Sequence, residues 1–140
     1  MVYVDTSVIV PLLTTEPSTE KVTAWFSGLT DTPVSSDWLL AEFSSAISIK
    51  VRSGQLSEGN AKAVHREFRN LASSGLRLAP VGRTAFQAAA AMTQVHGHGL
   101  RAGDALHLAV AQEIGATRIA TLDATMEANA VRLKMPPVKF

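Results

Sequence analysis

The sequence predicts an α/β fold, a parallel sheet with helices on both faces. Three observations carry this. Short runs of strand-forming residues, at 2–4, 34–35, 76–81 and 118–122, alternate with helical patterns along the whole chain. The stretch 105–114 is apolar nearly all round, as expected of a helix buried in the middle of a domain. Two of the strands, the first and the last, run straight into a carboxylate, Asp5 and Asp123. Right-handed crossovers place the carboxyl ends of parallel strands on one edge, and ligands of open α/β sheets bind at that edge.

The elements follow in order. Val2, Tyr3 and Val4 form the first strand. A helix opens after Asp5 and runs to Leu13, with Pro11 inside it removing one backbone donor, so a kink or a very short helix is expected. Pro17 fits the start of a second helix, in which Val22, Trp25, Phe26 and Leu29 recur at helical spacing and Gly28 lies near the end. Pro33 closes a turn before the strand at 34–35. Ser36 or Asp37 caps a third helix with Leu39, Phe43, Ala46, Ile47 and Val51 on its apolar stripe, ended by Ser53 and Gly54. Glu42 shares a side with Leu39 and Ala46, an odd place for a charge. A helix over 57–73 buries Ala61, Val64, Phe68, Leu71 and Ala72 and exposes Lys62, Arg66 and Arg69. The strand at 76–81 ends at Pro80. An alanine-rich helix covers 84–95, and His96 to Gly99 form a flexible loop. The buried helix stops at Gly115 in the manner of a C-cap. A short helix over 124–130 and a break at Pro136 and Pro137 lead to Val138, a candidate edge strand.

The bulk properties set limits. A chain of 140 residues is one domain, 1–140, and buries about two-thirds of its unfolded surface. With 46% hydrophobic and 18% charged residues it is globular. The net charge of +1 gives no global electrostatic case for a polyanion, so such a site must be local. There are no cysteines, which excludes disulfides and thiolate zinc sites. No stretch reaches membrane-span length and no signal peptide is evident, so a cytoplasmic protein is expected.

Four acids occupy special positions: Asp5, Glu42, Asp104 and Asp123. Taken singly, the three aspartates read as helix N-caps and Glu42 as the partner of a core arginine. Taken together they read as a cluster, because parallel topology brings strand ends to one edge. Two carboxylates about 4 Å apart repel by about 4 kcal/mol at an effective dielectric of about 20. Without a counter-charge one of them would take up a proton. A hard divalent cation resolves this, and magnesium or manganese on oxygen ligands suits phosphodiester hydrolysis. Asp5, Asp104 and Asp123 are then expected to converge within reach of one ion. His107, one turn after Asp104, reads either as a metal ligand or as a satisfied core histidine. His96 and His98 read as solvated. Arg101, Lys50 and Arg52 are candidate phosphate clamps or simply solvated surface charges.

Residues 2–8 (Val-Tyr-Val-Asp-Thr-Ser-Val), Glu42, residues 100–107 (Leu-Arg-Ala-Gly-Asp-Ala-Leu-His) and residues 120–123 (Ala-Thr-Leu-Asp) resemble the four signature regions of PIN-domain ribonucleases. Size and motif order are most similar to the VapC-type toxins of toxin–antitoxin pairs. The resemblance spans nearly the whole chain, and the Asp-Ala-Leu-His run with its later Thr-Leu-Asp is its most specific part. It implies a three-layer α/β/α sandwich with a central parallel sheet, and a magnesium- or manganese-dependent endoribonuclease acting as the toxin of a type II pair. Asp5, Glu42, Asp104 and Asp123 would be catalytic, with Asp5, Asp104 and Asp123 on the metal and Glu42 holding water or ligating. Ser7 and Thr121 fall near the acids as hydroxyls that could orient them. Pro11 departs from the regular first helix of such proteins.

An RNA substrate follows, and single-stranded or looped RNA exposes its bases best. A homodimer and a cognate antitoxin are the implied partners, the antitoxin laying an apolar segment in a groove with a basic side chain toward the acids. Trp25, Phe26 and Trp38 are either core or interface. Two other classes compete. A catalytically idle binding module would be free to lose acids, yet all four are present. A phosphatase wants a second acid two residues after the first, where Ser7 stands, and a phospho-acceptor receiver wants paired early acids. The absence of a G-x-x-x-x-G-K-[ST] loop disfavours an NTPase.

Overall fold

The computed structural model describes residues 1–140. Four short strands, β1 (Val2–Val4), β2 (Val34–Ser36), β3 (Arg77–Ala79) and β4 (Arg118–Ala120), form one sheet in the order β3-β2-β1-β4. Every neighbouring pair is parallel. Helices α1 (Thr6–Leu13) and α2 (Thr19–Ser27) link β1 to β2, and α3 (Trp38–Arg52) and α4 (Glu58–Asn70) link β2 to β3. Helices α5 (Arg83–Thr93) and α6 (Ala102–Glu113) lead to β4, and α7 (Ala124–Arg132) follows it. This is the three-layer α/β/α sandwich that the sequence predicts.

The layering follows from the strand order. The chain steps from β1 through β2 to β3 in one direction, then returns past β1 to place β4 on the other side. Right-handed crossovers put helices on opposite faces when the direction of travel reverses. Successive strand residues face opposite sides, and the core divides accordingly. Tyr3 and Ile119, paired in register, pack with Ala89, Leu108 and Met126 from α5, α6 and α7. Val4 and Ala120, the next pair, pack with Val8, Val22, Leu39, Phe43 and Phe68 from α1 to α4. Phe43 stacks on Phe68 with ring centroids 4.0 Å apart. The reversal of strand order falls between β1 and β4, and the crevice there is the expected ligand position.

Several elements differ from expectation in instructive ways. Strand β3 stops at Ala79 because Pro80 offers no backbone donor. The helix expected over 57–73 ends at Asn70, and Leu71–Gly75 widen into a π turn. Gly75 permits this, since a Cβ there would lie 2.6 Å from Leu71 Cδ1. Helix α1 survives Pro11 but spans only eight residues. His96–His98 form a 3₁₀ turn rather than an irregular loop. Ser36 lies inside β2, so Asp37 is the residue at the N-cap of α3, though its side chain makes no capping bond. The edge strand expected at Val138 is reduced to a bridge between Ile119 and Pro137, because consecutive prolines lack donors. Val138 N still donates to Ile119 O at 2.7 Å, covering that edge of the sheet. Trp25 and Phe26 pack against the α1–α4 side of the core, and Trp25 meets Phe140 edge-on. No helix is long and apolar enough to cross a membrane.

Candidate active site

Asp5 follows the last residue of β1, and its backbone N–H donates to Ala120 O at 3.1 Å, extending the ladder to β4. This register sets Thr121 beside it. Thr121 Oγ1 donates to Asp5 Oδ2 at 2.8 Å, and Ser7 Oγ donates to Asp5 Oδ1 at 2.7 Å. Both hydroxyls are themselves fixed, Ser7 by accepting from Leu122 N at 2.8 Å and Thr121 by accepting from Asp123 N at 3.0 Å. Asp5 occupies the N-cap position of α1 and its carbonyl accepts from Val8 N at 3.3 Å, but its carboxyl accepts no backbone bond from the helix, so the side chain is not spent on capping. The carboxyl is 4% exposed. Burial pushes its pKa up to about 6, with Glu42 adding to the rise while His107, Ser7 and Thr121 oppose it.

Glu42 rises from α3 toward the same end of β1. Its Oε2 accepts from Thr6 Oγ1, in the first turn of α1, and lies 2.8 Å from His107 Nε2. Burial alone would raise the Glu42 pKa, but the hydrogen bond and charge of His107, with the Thr6 bond, outweigh it and hold the carboxyl below its usual range. His107 is the satisfied core histidine of the two readings: it is 1% exposed, and its Nδ1 lies 2.8 Å from Tyr3 Oη. Nothing in the sequence links Glu42 to Thr6, His107 or Tyr3, since the contacts join separate elements.

Asp104 stands in the first turn of α6 and Asp123 at the N-cap of α7. Here the cap reading holds as well, because Asp123 Oδ1 accepts from Met126 N at 2.7 Å. Asp104, Asp123 and Glu42 line one cavity of about 700 Å³, together with Arg101, Ser45 and Thr125. Asp104 is raised above its usual range by burial first, then by the charges of Asp123 and Glu42. Gly103 is needed at the cavity wall, since a Cβ there would lie 2.8 Å from Glu42 Oε1 and 3.3 Å from Trp38 Nε1.

The structure therefore brings Glu42, Asp104 and Asp123 onto one wall and buries Asp5 against Ser7 and Thr121 at the adjoining strand ends. It does not close three acids or histidines on a common ion-sized gap, as the sequence led one to expect. The donor set still fits a hard cation. Like charges raise one another, and Arg101 is the only basic residue on the cavity wall. Magnesium usually keeps several waters and takes one or two carboxylates directly, so a closed cage is not required. Of the three candidate phosphate clamps, only Arg101 reaches the cavity. Lys50 pairs with Glu16 in a separate pocket, and Arg52 donates to Ser48 Oγ at 2.7 Å. His96 and His98 do not line it.

A family model described as PIN domain matches residues 2–131. No curated protein matches. Several solved structures are similar over almost the whole chain. Mycobacterium tuberculosis VapC20, described as a sarcin-ricin loop cleaving toxin, has a TM-score of 0.75 at 18% identity, over 92% of this chain and 95% of its own. FitAcB from Neisseria gonorrhoeae has a TM-score of 0.76 at 21% identity, covering 99% and 97%. VapBC2 from Rickettsia felis, bound to a DNA fragment from its promoter, has a TM-score of 0.64 at 16% identity, covering 99% and 98%.

Proposed function

The chain belongs to the PIN-domain family, and we propose that it is a magnesium- or manganese-dependent endoribonuclease, the VapC-type toxin of a type II toxin–antitoxin pair. The observation that carries the reading is the gathering of Glu42, Asp104 and Asp123 on one cavity at the carboxyl ends of the strands, beside a buried Asp5. Three carboxylates face one arginine there. Such a local charge excess, in a chain of net charge +1, calls for a cation and not for a catalytic base alone.

Asp5, Asp104 and Asp123 are the residues assigned to hold the metal. When bound, it would stabilise charge on a phosphoryl oxygen and make water a better nucleophile at neutral pH. Asp5 arrives pre-oriented, because Ser7 and Thr121 each hold one of its oxygens. Glu42, kept ionised by His107 and Thr6, is the base that takes a proton from the attacking water. Arg101 on the cavity wall steadies the phosphate. RNA is the proposed substrate, supported by the likeness to VapC20, a sarcin-ricin loop cleaving toxin.

The toxin role carries two partners and a place, all proposed. A cognate antitoxin would lay an apolar segment on the surface and send a basic side chain toward the acids. A second copy would cover the apolar hollow of about 330 Å³ beside the acid cavity, lined by Trp38, Phe86 and Leu106, where Phe86 is 54% exposed. A cytoplasmic location accords with both. The test is cleavage of total cellular RNA by the purified protein with magnesium or chelator, alongside Asp5→Asn and Asp104→Asn. Cleavage that needs the metal and both aspartates is expected. Undiminished cleavage by both variants would remove the assignment.

A further inference from the structure

A line of buried polar side chains runs beneath Glu42 through the core. Ser36 Oγ, at the end of β2, accepts from Tyr3 Oη at 2.9 Å. Tyr3 Oη, on β1, lies 2.8 Å from His107 Nδ1, on α6. His107 Nε2 lies 2.8 Å from Glu42 Oε2, on α3. Ser36 and Tyr3 are 0% exposed and His107 is 1% exposed. His107 sits within a run, Ala105 to Ala111, in which every other residue is apolar and all are buried. An apolar side chain there would avoid the cost of burying a polar ring. The imidazole instead has a polar partner at each nitrogen, and its Nε2–H is the donor that an acceptor-only carboxylate such as Glu42 requires.

We propose that His107 is a positioning residue: anchored through Tyr3 to Ser36, it fixes Glu42 Oε2 and leaves Oε1 turned toward Gly103 and the acid cavity. The inference rests on the nuclease reading for its catalytic consequence, but the arrangement itself belongs to the metal-free protein. Thr6 Oγ1 shares Oε2 and would hold the carboxylate loosely by itself, since one hydroxyl leaves the side chain free to rotate about that contact. His107 adds the second hold, from a ring that two neighbours have locked. Gly103, on the same face of α6 one turn earlier, completes the seat by offering no Cβ to crowd Oε1. Groups that orient a catalytic carboxylate in this way typically change activity 10–100-fold when removed.

The test uses His107→Leu, which keeps apolar bulk, His107→Gln, which keeps a donor for Glu42, and Tyr3→Phe, which removes only the hydroxyl. Two readouts run in parallel: kcat and KM for RNA cleavage, and the side-chain carboxyl ¹³C signal of Glu42 in the metal-free protein, assigned with Glu42→Gln. Expected are a fall in kcat of roughly 10–100-fold in His107→Leu with KM little changed, partial recovery in His107→Gln and a smaller fall in Tyr3→Phe. The Glu42 signal should shift or broaden in the same order. An unmoved Glu42 signal in folded His107→Leu overturns the proposal, whatever the activity. A signal that moves as expected across the variants, with a wild-type protein that cleaves no RNA, upholds the positioning and overturns the nuclease reading.

Discussion

Replacing Asp5 by Asn is expected to stabilise the metal-free protein at neutral pH while abolishing cleavage. The Asp5 carboxyl is pushed from 3.8 up to about 6, by burial first and then by Glu42, against His107, Ser7 and Thr121. Between about pH 4 and pH 6 the folded protein therefore holds a proton that the unfolded chain has released. Stability falls with rising pH across that window, because the native state binds more protons there. Above it the full cost is present, about 3 kcal/mol for a difference of about two in pKa. Asn carries no charge and escapes this cost. Its amide can accept from only one of the two hydroxyls that now donate to Asp5, which costs about 1 kcal/mol. The balance at pH 7.5 is a gain of about 2 kcal/mol, or roughly 6 °C in Tm for a chain of this size. At pH 4 only the lost hydrogen bond remains, and the variant should be the less stable by about 1 kcal/mol. Urea unfolding of both proteins in chelator, from pH 4 to pH 8, reads this crossing directly. Magnesium at 100 times its Kd should then raise the wild type by about 3 kcal/mol and the variant much less. A difference between the two proteins that stays constant over this pH range would refute the reasoning.

Other outcomes follow from single contacts. Thr121→Val removes the donor to Asp5 and the acceptor for Asp123 N, so it should cost about 1–3 kcal/mol at pH 7.5 and move the Asp5 midpoint further up in the same urea series. Arg101→Ala should raise KM for RNA and lower the slope of log affinity against log salt by about one, measured by salt titration of binding. Ser57→Ala removes the cap of α4, where Ser57 Oγ accepts from Asn60 N at 3.1 Å. It should cost about 1 kcal/mol in urea and leave kcat unchanged.

What the sequence revealed, and what it hid, divides along a physical line. The sheet and its layers were legible because strand runs, helical stripes and the nearly all-apolar 105–114 stretch are local patterns. The acids at strand ends were legible because Asp5 and Asp123 each terminate a strand, and because Glu42 sits where a helix face should be apolar. Ser7 and Thr121 were legible through their spacing from those acids. The grip on Glu42 was not. Tyr3 reads as an ordinary strand residue, Ser36 as a helix cap and His107 as a metal ligand or a core histidine, and only the crossing of β1, β2, α3 and α6 brings them together. Asp5 and Asp123 also show why cap and site cannot be separated from sequence. The same residue type at the same kind of junction caps its helix in one case and turns wholly to side-chain hydroxyls in the other. Lys50 looked like a phosphate clamp because Glu16, its partner, lies across the fold on the segment before α2.

The central claim is that the acids at the strand ends form one divalent-cation site. Manganese bound to crystals of the metal-free protein and located by anomalous diffraction tests it most directly. The expected result is a peak in the acid cavity among Asp5, Asp104 and Asp123, lost in Asp104→Asn. Manganese bound elsewhere, or a peak that persists unchanged in that variant, would contradict the claim.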